Sequence, residues 1–136
     1  MADIAFSAPH AQAAEAGMAI LRQGGNAVDA MIAAAAAVSV LYPHMNSLAG
    51  DGFWLIHQPG ENPRAVDACG FAAQQATLAH YREQGFASIP SRGTRSTVTM
   101  AGTVSGWQCA REIAADYAEL LPLETCLLYT SDAADE

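Results

Sequence analysis

A short apolar stretch at residues 4–6 is followed by Ser7-Ala8-Pro9-His10, after which Ala13, Gly17, Ala19, Ile20 and Leu21 share one helical face. That spacing predicts a helix over about residues 10–23, started by Ser7 or Pro9. Gly24-Gly25 stops it, because glycine accepts the left-handed geometry that closes a helix. Asn26 is then placed to cap a second helix, since its side-chain oxygen can accept from the first free backbone N–H groups. That helix, about 27–41, carries Ala30, Ala33, Ala34 and Ala37 at helical spacing and Asp29 in its first turn, where a carboxylate suits the helix dipole. Tyr42-Pro43 ends it, because the residue before a proline is pushed out of helical geometry. The expected product is a tight helical hairpin whose second helix is buried and smooth-sided.

The pattern then changes. Phe53-Trp54-Leu55-Ile56-His57 is a short aromatic-rich run suited to a buried strand. Pro59-Gly60-Glu61-Asn62-Pro63 is a strong turn, and residues 64–69 can return as the partner strand. Thr77 can cap a helix over 78–84 that Gly85 ends, and the polar stretch 88–97, with Arg92 and Arg95, reads as an exposed loop. A last helix is expected near 104–120, with Trp107, Ala110, Arg111, Ala114 and Tyr117 along one flank, before Pro122 restarts the chain. No repeat of 20 to 50 residues is visible. The fold class is α+β, and the length suits one domain or part of one.

Composition narrows the partners. Hydrophobic residues make up 51% of the chain but 30 of them are alanines, and the charged fraction is 15% against about 25% in typical soluble domains. Such a shortage of solvated surface is what a piece of a larger protein would show. A net charge of -8, with arginine as the only cation, opposes nucleic-acid and anionic-membrane binding, which need clustered positive charge. The longest apolar run, residues 30–42, is too short to span a bilayer of about 30 Å as a helix. The first six residues carry Asp3 and no arginine, unlike a secretory leader, so a cytoplasmic location is expected for the sequence as given. A periplasmic or secreted location is the expectation if a leader has been lost.

Candidate chemistry is sparse. Cys69, Cys109 and Cys126 have neither metal-ligand spacing nor the density of a disulfide scaffold, so free thiols are expected. His44, Asp51 and His57 match no short metal motif, and Gly50-Asp51-Gly52 precedes a strand, whereas nucleotide-binding glycine loops follow one. Neither metal nor cofactor is expected. Met45 and Trp54 read as core, His10 and His80 as surface. Cys69 has no flanking histidine and lies two residues from Asp67, which would raise its pKa, so it reads as a small buried thiol. The last eleven residues, from Cys126 to Glu136, resemble one reading frame of a common transposase sequencing adapter. The expected native part is therefore 1–125, with 126–136 a non-native tail.

The run Arg22-Gln23-Gly24-Gly25-Asn26-Ala27-Val28-Asp29-Ala30 resembles the opening of the gamma-glutamyltransferase family. The likeness continues in order through Tyr42-Pro43-His44, Leu48-Ala49-Gly50-Asp51-Gly52-Phe53 and the segment 98–107, and covers roughly residues 4 to 125. It implies an N-terminal nucleophile hydrolase, an αββα sandwich of which this chain would be an incomplete part, the front of the large subunit. In that family the precursor cuts itself and exposes a threonine whose hydroxyl attacks an amide carbonyl, with its own amino group as base. The acyl group then passes to water or an amine. The implied partners are a small gamma-glutamyl or related amide and the remainder of the precursor, its small subunit. No residue within 1–125 corresponds to the nucleophile, so this piece alone is expected to be inactive.

Gamma-glutamyl enzymes grip the substrate carboxylate with an arginine just after the second hairpin strand, where a guanidinium fork suits the two oxygens. Here that stretch is Asp67-Ala68-Cys69-Gly70-Phe71, which puts Cys69 at the arginine position, the candidate substrate-binding residue. Either Arg92 or Arg95 substitutes, or the enzyme takes another acyl group, as amide acylases of related fold do. A noncatalytic binding or scaffold member of the same fold is the remaining alternative.

Overall fold

The structure, a computed structural model, describes residues 4–96 and 99–132. Helices α1 (Ala11–Arg22) and α2 (Ala27–Leu41) form the expected hairpin, followed by strands β1 (Gly52–Ile56) and β2 (Arg64–Ala68), then α3 (Leu78–Glu83), a single 3-10 turn at Thr94–Ser96, α4 (Thr103–Ala115) and α5 (Leu123–Asp132). The two strands pair antiparallel, with Trp54 opposite Val66 and Gly52 opposite Ala68. This α+β order matches the class expected from the pattern.

Local chemistry explains most boundaries. The two residues of the glycine pair do different work: Gly24 adopts φ +89°, while a Cβ on Gly25 would lie 2.6 Å from Ile20 Cγ2 and 2.8 Å from Leu121 Cδ1. One glycine closes the helix and the other lets a distant segment approach. Asn26 caps α2 as expected, its Oδ1 accepting from Val28 N at 2.8 Å and Asp29 N at 3.0 Å. Thr77 caps α3 by accepting from His80 N.

Several expectations need correction. His10, not Ser7 or Pro9, caps α1, because its ring Nδ1 accepts from Gln12 N at 3.3 Å. The last long helix ends at Ala115, so Tyr117 lies beyond it. The cause is tertiary, because Leu121 is held by its N–H to Asp29 of α2 and by its carbonyl to Arg111 of α4 itself. Met45 is 70% exposed, not core. Cys69 is exposed rather than buried, since it follows Ala68 out of the sheet at the hairpin's end.

The main core lies where α2 meets α4, β1 and α5. Ile20, Ile32, Ile56, Trp107 and Ala110 are buried there, with Trp54 and Leu121 packed against them. The alanines of α2 let neighbours approach closely, and fully buried Ile32 supplies roughly 1.5–3 kcal/mol of burial. Phe6 seats its ring on Gly17 of α1, where any Cβ would sit 2.5 Å from ring atoms. Helix α5 crosses residue 126, and Cys126 is fully buried in this core. No helix of the described residues is long and apolar enough to cross a membrane.

Candidate functional site

Between α2, the loop after it and β1 lies a cleft of about 600 Å³. Met31, Val38 and Ser39 of α2 form one wall, His44 to Leu48 the rim, and Phe53 with Leu55 the strand side. Asp51, Gly52 and Thr103 line it where loop, strand and α4 converge.

That convergence is built by backbone. Helix α4 has no side-chain cap, and its first N–H groups would need other partners. Gly50 supplies one: its carbonyl accepts from Gly102 N at 2.9 Å, Thr103 N at 3.0 Å and Thr103 Oγ1 at 2.8 Å. Thr103 Oγ1 also reaches the Asp51 carbonyl at 3.2 Å. Close by, the chain leaving β2 crosses the chain entering α4. A Cβ on Gly70 would overlap the Met100 carbonyl, and one on Gly102 would overlap the Ala68 carbonyl. Met100 N donates to Phe71 O at 3.1 Å, and Ala72 pairs with Thr99. Glycine at both positions is what permits this crossing.

Cys69, the candidate substrate-binding residue, sits beside that crossing and does not line the cleft. Its N–H donates to Asp67 Oδ1 at 2.9 Å. Partial desolvation, then the charge and hydrogen-bonding of Asp51, then the charge of Asp67, push its thiol above the ordinary value. A protonated thiol among carboxylates is a poor nucleophile, so Cys69 is unsuited to attack a ligand. Arg92 and Arg95, the candidate substitutes for a cation, do not line the cleft. Arg95 instead places its guanidinium 5.4 Å above the Phe86 ring, and its carbonyl accepts from the Tyr81 hydroxyl at 2.9 Å. His44 and Asp51 line the cleft whereas His57 does not, and no group of three His, Cys, Asp or Glu among the described residues is placed to hold a metal.

The pattern reading missed a buried polar cluster. Asp29, assigned only a dipole role, is fully buried and pairs with Arg111 Nη1 at 2.8 Å. Its other oxygen accepts from Asn26 Nδ2 at 2.8 Å and Leu121 N at 2.9 Å, while Arg111 Nη2 donates to Leu121 O at 2.7 Å. Asn26 Nδ2 also reaches Glu119 O at 3.0 Å. The signal was present: Arg111 lies on the same flank as Trp107, Ala110 and Ala114, and a cation on a buried flank needs a buried partner.

Comparison with known proteins places this geometry. Residues 13–136 match the family model described as gamma-glutamyltranspeptidase. The chain is 54% identical over 109 residues, 80% of its length, to the oxamate amidohydrolase proenzyme of Klebsiella pneumoniae, and 41% identical over 100 residues, 73% of its length, to the glutathione hydrolase-like YwrD proenzyme of Bacillus subtilis. It covers 20% and 19% of those two proteins, about a fifth of each. The fold is similar to the crystal structure of Helicobacter pylori gamma-glutamyltranspeptidase, with a TM-score of 0.81 and 25% identity, covering 98% of this chain and 38% of the other.

Proposed function

The chain belongs to the gamma-glutamyltranspeptidase family, and from that premise we propose that it is the front of the large subunit of a self-processing amidohydrolase that prefers small oxamate-type amides. The observation that carries this reading is the surroundings of position 69. Where the resemblance to gamma-glutamyl enzymes calls for an arginine, Cys69 stands beside Asp51 and Asp67. A substrate carboxylate is disfavoured there by like charge. The carboxylate of an oxamate-type substrate is therefore held by groups contributed by the remainder of the precursor, and position 69 meets an uncharged part of the ligand. The 54% identity to an oxamate amidohydrolase supports the same substrate class.

The reaction follows from the family chemistry. A threonine beyond this chain, freed by self-cleavage, adds its hydroxyl to the amide carbonyl, its amino group taking the proton and delivering it to the departing ammonia. Water then adds to the acyl-enzyme and releases the acid. In this scheme the present chain supplies part of the scaffold and one edge of the acyl site, and has no activity alone. The likeness to a glutathione hydrolase-like proenzyme favours a second reading, gamma-glutamyl hydrolysis or transfer.

The full-length proenzyme, purified and allowed to process into two bands, separates the two. Ammonia release from oxamate is expected to exceed, in kcat/KM, turnover of a gamma-glutamyl anilide by at least about tenfold, the discrimination a site gives when a required charged contact is missing. The reverse preference would overturn the oxamate reading. Cys69→Arg is expected to narrow the gap by improving the KM for the anilide. A single uncut band with neither activity would instead support a noncatalytic scaffold.

A further inference from the structure

We draw no further inference here: the strongest candidate, the apolar hairpin face that Phe53 and Leu55 present along the cleft beside α2, is an unpartnered sheet surface, and nothing in the structure shows what covers it.

Discussion

The helical layer and the hairpin solve opposite problems. In the helical layer, α2 is surrounded: its alanines admit close neighbours, and the one carboxylate it buries is paired with Arg111 and bonded to Asn26 and Leu121. In the hairpin only one face is covered. Trp54, Ile56, Val66 and Ala68 turn toward α4 and the core, while Phe53 and Leu55 remain 72% and 75% exposed on the other side. A two-stranded sheet with a bare aromatic face is marginal by itself. The stability of this chain resides in its helices, whereas its hairpin leaves an apolar face in solvent; the chain spans about a fifth of its relatives' length.

The largest expected effect breaks the helical side. Asp29→Ala strands Arg111 and the Leu121 N–H in the interior, and removing one partner of a buried pair costs about 3–5 kcal/mol. Urea unfolding of the full-length protein measures it, and adding Arg111→Ala should cost less than the two single losses summed. If Asp29→Ala unfolds at the wild-type midpoint, the buried cluster is not what holds residues 119–121 to α2.

Gly102→Ala comes next. Its methyl group would overlap the Ala68 carbonyl, and overpacking of this kind costs roughly 1–3 kcal/mol. Because the crossing also holds Cys69, the melting midpoint should fall together with substrate affinity. Unchanged affinity in a destabilised variant would show that the crossing supports the fold alone.

The hairpin side responds differently. Phe53→Ser and Leu55→Ser should change the stability of the 136-residue chain by no more than about 0.5 kcal/mol, since both side chains are already in water. The same changes should reduce self-association in sedimentation experiments and should impair folding of the full-length proenzyme. Equal destabilisation in both contexts would contradict the asymmetry between the two layers. Smallest of all is Arg22→Ala, which removes an exposed pair with Glu15 and is expected to leave the melting midpoint unchanged within error at physiological salt.

Much of the architecture was readable because its signals are local. The Gly24-Gly25-Asn26 turn, the cap at Thr77 and the proline after Tyr42 act within a few residues, and the elements they bound lie where the pattern put them. The hairpin's position was equally legible, since the turn 59–63 separates two runs of matched length, but the strand read as buried is covered on one face only, with Phe53 and Leu55 in solvent. What went unread is non-local. Asp29 and Arg111 stand 82 residues apart, and Thr103 lies 53 residues from Gly50. No periodicity joins such positions, and only the folded backbone brings them within bonding distance.

The amino-acid order by itself determined where helices and strands start and stop, and through its run of motifs it determined the family, because short-range sterics and capping act before any tertiary contact forms. Which carboxylate is buried, where α4 ends, and that Cys69 emerges exposed were decided by packing alone. A buried charge takes its partner, and an uncapped helix its acceptor, from whatever segment the chain brings alongside. That choice belongs to three-dimensional proximity and leaves no mark on neighbouring residues.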